Sequence, residues 1–187
     1  METEALKTMQ NPVTAEETHG FPDFVWYTLY VKSRHEFRVN ELLTHAHREA
    51  FLPAIERLRK WKDRKKLVTF PLFPGYVFVH IPARKEDLLS VIKTPGVVRI
   101  LGRKPGVPEP VPDVQIVSLR TLLDNKAYVE PYPYLKEGQK VRITGGPLAG
   151  VEGFLKEKRG RHLLVLSIDI LQQGASVQVD ASDIELV

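Results

Sequence analysis

The chain has 187 residues, 43% hydrophobic and 27% charged, with a formal net charge of +4 and no cysteine. That is enough for one or two domains with real cores, and it excludes disulfides, thiolate metal sites and cysteine nucleophiles, as suits a cytoplasmic protein. No apolar run approaches the roughly 20 residues of a spanning helix, and the acidic N-terminus does not resemble a signal peptide, so no membrane partner is expected.

The charge is unevenly placed. Residues 1–24 hold one Lys or Arg against five Asp or Glu, residues 25–125 hold 18 against 10, and residues 126–187 hold eight of each. The positive field therefore belongs to the middle segment, the part expected near a polyanion.

Residues 1–24 lack periodicity and read as a flexible tail. Trp26 to Lys32 reads as a strand, and Ser33 with Glu36 has the spacing of a capping box that would start a helix near Arg34. Val39, Leu42, Leu43 and Ala46 give that helix one apolar stripe. Phe51 to Ile55 is a short strand, and the segment from Arg57 to Phe70 predicts a hairpin with a long charged tip.

Pro71-Leu72-Phe73-Pro74-Gly75 then introduces an aromatic strand, Tyr76 to Ile81. The prolines cannot donate to a ladder and confine this approach to an edge or corner, while Gly75 permits a sharp entry. Alternation places Tyr76, Phe78 and His80 on one face and Val77, Val79 and Ile81 on the other, so both faces carry large side chains. The corner is a candidate docking surface. Asp87 to Thr94 predicts a second helix, Val97 to Leu101 a strand, and Asp113 a cap for a third helix with Ile116, Leu119 and Leu123 on one face. Helices packed on a mainly antiparallel sheet, an α+β unit over residues 25–125, are expected.

Residues 126–135, with Pro131 and Pro133, read as a linker. Beyond it, over residues 136–187, five short β-rich runs (139–143, 151–157, 162–168, 175–179 and 184–187) predict a small five-stranded all-β barrel.

Two motifs carry a resemblance. Trp26-Tyr27-Thr28-Leu29-Tyr30-Val31 with Pro71 to Val79 is similar to the N-terminal (NGN) domain of the NusG family of transcription factors, and Gly138 to Gly153 resembles the KOW motif, here Val141, Arg142, Gly145, Gly146, Pro147, Gly150 and Gly153. Turn geometry by itself explains those glycines, each expected in a turn conformation. The resemblance covers residues 25–187 and implies an NGN-type antiparallel sheet flanked by helices, followed by a KOW barrel.

It also implies partners. Tyr30, Phe70, Leu72, Phe73, Tyr76 and Phe78 match positions that grip the clamp of bacterial RNA polymerase, and Asp87, Leu88, Leu89 and Ser90 match those that reach the opposing gate loop. Bridging both jaws would suppress pausing by favouring one state of the enzyme. Trp26, Val77 and Val79 read as core; Leu72, Phe73 and Tyr76, beside the proline corner, read as docking residues.

Two basic groups are candidates for nucleic-acid contact. The first is Arg57, Arg59, Lys60, Lys62, Arg64, Lys65 and Lys66 with Trp61 among them; the second is Lys32, Arg34, His35 and Arg38. Through the resemblance, Lys32 and Arg38 point to non-template DNA or upstream DNA in the transcription bubble, with no named element implied. In the barrel, Ile170, Leu171 and Gln173 occupy the turn that in the family recruits the termination factor Rho or a ribosomal protein. That turn lacks the family's usual Phe-Gly-Arg, which speaks against Rho recruitment, and the Trp-Tyr start, the Arg-Lys-Trp hairpin and the Ser-Ile-Asp-Ile-Leu-Gln stretch together resemble specialised antiterminators of UpxY-like or RfaH-like character. The alternatives are a housekeeping NusG acting in Rho-dependent termination, a KOW protein of the ribosome, for which this neutral barrel speaks poorly, and a free DNA-binding repressor.

No nucleophile with its base, carboxylate pair or metal cluster is recognisable, so neither an enzyme nor a cofactor is expected. His45 and His47, two apart on a predicted helix, point in different directions and do not suit one metal. A monomer is expected, and Val165 to Ile170 with Val177 to Val179 favour a permanent barrel over a refolding one.

Overall fold

The computed structural model describes residues 24–187 apart from 62, 63, 105, 126 and 127. The expected tail lies outside the described residues except for Phe24, which already belongs to the first strand. The N-terminal part runs β1 (Phe24–Val31), α1 (Glu36–His45), β2 (Glu49–Phe51), β3 (Ala54–Trp61), β4 (Arg64–Pro71), β5 (Tyr76–Pro82), α2 (Lys85–Ile92), β6 (Val97–Ile100), β7 (Pro110–Val111) and α3 (Asp113–Asp124).

β1 and β5 form the middle of an antiparallel sheet of order β2-β5-β1-β6, with β7 also on β1, and their register runs from Phe24 opposite Pro82 to Tyr30 opposite Tyr76. The period of two in both strands decides the layers. Tyr27, Leu29, Val31, Val77, Val79 and Ile81 face α1 and α2, where they pack with Val39, Leu43 and Val91. Trp26 and Phe78 face the other way, into a cluster with Val111 and with Ile116, Leu119 and Leu122 of α3. Each fully buried side chain of this size stabilises by about 1.5–3 kcal/mol, so the sheet is fixed from both sides.

Two helix starts differ from the sequence expectation. α1 begins at Glu36, and the residue at its cap, His35, makes no side-chain capping bond. Arg34 takes φ +62°, a left-handed turn directly after Ser33, and the Glu36 carboxylate instead accepts the Gly75 amide at 2.8 Å. The capping box is thus replaced by a tie between α1 and the proline corner. Asp113 is the first residue of α3, and Pro112 holds the cap position. α1 ends at His45, and His47 lies beyond it at φ +55°, so the two histidines do not share a helix.

The C-terminal part contains β8 (Glu130–Pro133), β9 (Gln139–Ile143), β10 (Glu152–Lys158), β11 (Arg161–Ile168), β12 (Gln173–Val179) and β13 (Ile184–Leu186). All five expected runs are strands, in the order β13-β9-β10-β11-β12-β8. The sixth strand, β8, arises inside the segment read as a linker: Tyr132 stands opposite Gly174 and Glu130 opposite Ser176. Its prolines hid it, because a proline-bearing strand is tolerated only at a sheet edge, where β8 lies.

The KOW glycines divide into two kinds. Gly146 and Gly150 adopt φ +72° and +87°, the turn conformations expected of them. Gly145 has an ordinary extended φ of −136°. Gly153 lies within β10, and a Cβ there would sit 2.6 Å from the Val165 carbonyl oxygen, so close strand packing rather than a turn requires it.

The apolar cluster on α3 does not stop at the first sheet. It continues through Val141, Ile143, Val151, Leu164, Leu166 and Ile168 of the C-terminal strands and their connections, so α3 lies between the two sheets.

Candidate functional site

The proline corner is built by contacts from three elements. Leu72 donates its amide to the Pro53 carbonyl at 2.8 Å, and Gly75, at φ +87°, donates to Glu36. The corner thereby sits over the start of α1, where Lys32, Arg34 and Arg38 are exposed and His35 is half-buried.

The six aromatic and aliphatic residues expected at the docking patch are not equivalent. Leu72, Phe73 and Phe78 are 0%, 1% and 0% exposed and belong to the core around α3. For Leu72 and Phe73 this corrects the sequence reading: both are buried in the cluster that also takes in Ile116, Leu119 and Leu122 of α3. Tyr30 is exposed, and Tyr76 and Phe70 are half-buried. The Tyr30 and Tyr76 ring centroids are 5.8 Å apart, and the Arg99 guanidinium lies 5.8 Å from the Tyr30 ring on the neighbouring strand. Arg99 escaped notice in the sequence because only the β1–β6 pairing brings it to Tyr30.

Among the described residues β3 and β4 pair only with each other and form a two-stranded ribbon, register Ala54 opposite Pro71 through Trp61 opposite Arg64. Opposed residues share a face. One face begins with Ile55 and Phe70 and becomes basic through Arg57, Arg59 and Lys66, with the Arg59 guanidinium 4.8 Å from the Phe70 ring centroid. The other carries Lys60 opposite Lys65 and an exposed pair, Leu58 opposite Leu67. The pair was legible only once the hairpin register was known. Lys62 and the side chains of Trp61 and Arg64 lie outside the described residues.

In α2, Leu88 packs against the inner core while Leu89 is exposed. Asp87 accepts from Arg84 at 2.8 Å, and Arg48 donates to Ser90 Oγ at 2.7 Å. The four residues expected at the gate loop therefore present Leu89 outward beside polar groups already tied to the scaffold.

α3 is held on the first sheet by a charged knot. Arg120 donates to one oxygen of Glu49, at 2.8 Å, and His80 Nδ1 lies 2.8 Å from the other. The same guanidinium lies 4.8 Å from the Trp26 ring and 4.9 Å from Phe51, and His80 stacks on Trp26 at 4.7 Å. Burial alone would raise the Glu49 pKa, but hydrogen bonds from Arg120 and His80 outweigh it and hold the carboxyl below its ordinary value.

At the C-terminal turn, Asp169 to Leu171 form a single 3₁₀ turn closed by Gln172 at φ +51°. Leu171 is buried, Ile170 and Gln173 are half-buried, and Asp169 accepts from Gln115 of α3 and from the Tyr134 hydroxyl. The Asp169 carboxylate raises the Tyr134 pKa by taking that hydrogen bond. Arg142 of the KOW motif pairs with Glu152 and Glu185, and Lys140 with Glu152. Those hydrogen bonds from Lys140 and Arg142 hold the Glu152 carboxyl low. Arg142 is thereby committed to holding strands together. No helix among the described residues is long and apolar enough to cross a membrane.

An antiparallel sheet between helices is joined through α3 to a six-stranded all-β region, and comparison with known proteins says which family shares this arrangement. Residues 24–120 match the family model described as transcription termination factor nusG. The chain is 25% identical over 181 residues to the transcription termination/antitermination protein NusG of Borreliella burgdorferi, covering 87% of this chain and 98% of that one. It is 26% identical over 184 residues to NusG of Staphylococcus carnosus, covering 95% and 99%. A solved structure of Thermotoga maritima NusG, described under its domain interaction, superposes with a TM-score of 0.51 at 24% identity, covering 88% of this chain and 98% of that one. The chain belongs to the NusG family and is a NusG-type transcription termination/antitermination factor.

Proposed function

We propose that the chain binds bacterial RNA polymerase through the rim of the proline corner, with Tyr30 and Tyr76 as the anchors and Phe70 beside them. The observation that carries this reading is the exposed Tyr30, ringed by Tyr76 and Arg99 at 5.8 Å each, next to a ribbon whose one face is basic. Large aromatic residues with an adjacent arginine are typical anchors of protein interfaces. Leu72, Phe73 and Phe78 act from below, as the support that holds the tyrosines in place.

Leu89 of α2 is the second contact, toward the gate loop, and simultaneous engagement of both jaws favours the elongating state of the enzyme by differential binding. The ribbon's Arg57, Arg59, Lys60, Lys65 and Lys66, with Lys32, Arg34 and Arg38, contact the phosphates of non-template or upstream DNA. Ile170, with Leu171 behind it, receives the partner of the C-terminal part, Rho or a ribosomal protein. The replaced turn at residues 169–176 favours a specialised antiterminator over a housekeeping factor, and the cysteine-free chain suits the cytoplasm.

The test is binding of the purified chain to stalled RNA polymerase elongation complexes, with Tyr30→Ala/Tyr76→Ala as the variant. Loss of binding with the fold retained, at only a modestly lowered melting temperature, is expected, together with loss of pause suppression. Wild-type binding by the variant would move the interface away from the corner.

A further inference from the structure

We propose that the C-terminal sheet carries a site for single-stranded polynucleotide, in the groove between β8 and the turn joining β10 to β11. The groove encloses about 550 Å³ and is lined by Tyr128, Glu130, Tyr132, Lys158, Arg159 and Arg161. The turn joining β10 to β11 lies at the opposite end of β11 from the turn at Ile170, and the groove belongs to a different unit from the basic ribbon.

Three features show that the turn is built for an anion at some cost to folding. Lys158 stands directly opposite Arg161 in the ladder, an arrangement that repels. Arg159 adopts φ +53° and Gly160 +70°, so a bulky cation occupies a left-handed turn position where Asn, Asp or Gly would be at ease. Among the described residues none of these three cations has an acidic partner within ion-pair distance, whereas Lys140 and Arg142 on the same sheet are both paired with Glu152. The equal count of acids and bases over residues 126–187 thus conceals a local excess, three cations against Glu130, whose carboxylate already accepts from the Tyr128 hydroxyl at 3.3 Å.

The aromatic groups select the class of anion. Tyr128 is 78% exposed, and the Lys158 ammonium lies 5.8 Å from the Tyr132 ring centroid, placing a π-face beside a phosphate-binding cation. Unstacked bases use such faces, whereas a duplex keeps its bases stacked on each other. An acidic peptide added as a further strand fits less well. β8 is the sheet edge, and prolines on an edge strand turn their missing N–H outward, so Pro131 and Pro133 leave no donor at those positions for an incoming strand.

The experiment uses the full chain and a fluorescein-labelled oligouridine of about 12 nucleotides, within the roughly 4–16 nucleotides that small β-barrel modules cover. Anisotropy is followed across a salt series in a background where the proposed phosphate contacts of the ribbon are removed (Arg57→Ala/Arg59→Ala/Lys60→Ala/Lys65→Ala/Lys66→Ala), which separates this site from the proposed DNA contact. In that background, Lys158→Ala/Arg159→Gly/Arg161→Ala should weaken binding at least tenfold and flatten the log–log salt slope by about two. Glycine at 159 suits the turn, so the fold is retained, as melting temperature verifies. Tyr132→Ala should weaken binding about tenfold. A 4-thiouridine probe should crosslink to peptides spanning 128–133 or 158–163. Unchanged affinity and slope in the triple variant, crosslinks confined to the ribbon, or equal binding of a glutamate oligomer without dependence on Tyr132 would each overturn the proposal, the last in favour of an acidic peptide.

Discussion

Gln115 of α3 donates from Nε2 to Asp169 Oδ2 at 2.9 Å and accepts from the Asp169 amide at 3.4 Å, so one side chain satisfies both the head and the backbone of the C-terminal 3₁₀ turn. The two residues belong to different sheets' layers, and the contact fastens the turn that carries Ile170 to the helix between them. Both groups are solvent-exposed, so each bond is worth about 1 kcal/mol or less. Gln115→Ala should therefore leave global stability nearly intact while the amides of residues 169–172 exchange faster with solvent. Hydrogen exchange read by mass spectrometry checks this; unaltered protection of that turn would mean that Tyr134 and the C-terminal core hold it without α3.

The Glu49 knot makes a pH-dependent contribution of defined sign. Its carboxyl is held below the ordinary value of 4.5 in the folded chain, so the native state favours the charged form. The contribution is present at pH values above the unfolded pKa and disappears as pH falls through the lower folded one. Because the Glu49 side chain is 47% exposed, solvent screening keeps the effect small. Glu49→Gln should melt below the wild type at neutral pH, and the two melting curves should converge as acid titrates the carboxylate. A gap that stays constant down to the acid limb would mean that Glu49 acts through packing alone.

Leu72 and Tyr76 lie on the same corner but play separable parts. Leu72 is fully buried, and truncation to Ala should cost about 2–5 kcal/mol through lost burial and the cavity left behind. Tyr76 is half-buried, and Tyr76→Ala should cost less stability while removing an anchor for the polymerase. Denaturant unfolding paired with elongation-complex binding distinguishes the two. Equal stability losses would mean that Tyr76 is also principally a core residue.

The KOW glycines offer a sharper contrast. At Gly153 a methyl group would meet the Val165 carbonyl oxygen at 2.6 Å and Leu164 Cγ at 3.1 Å, and a backbone atom has little room to move. Gly153→Ala should destabilise the C-terminal part by about 1–3 kcal/mol. At Gly145 nothing lies within 4 Å and φ is −136°, so Gly145→Ala should be close to neutral. Thermal melts of the two variants are sufficient, and similar losses at both would refute the packing account.

Local pattern was enough to place most of the elements. The alternation of Tyr76, Phe78 and His80 against Val77, Val79 and Ile81 is a property of the extended chain, and the structure separates those sets onto the two sheet faces. The Val39 and Leu43 stripe and the five C-terminal β runs are equally local, since periods of 3.6 and 2 need no partner to be read. What tertiary structure decided was which side chains remain available. Leu72 and Phe73 sit in sequence beside Tyr76 and share its chemistry, yet both are buried in a cluster assembled from distant segments, α3 among them, and no spacing within residues 70–81 announces that. The same holds for Gln115 meeting Asp169, for Tyr132 meeting Lys158, and for β8 hidden behind two prolines. Each depends on contacts between segments distant along the chain, whose geometry is set by the packing of whole sheets and not by the residues flanking either partner.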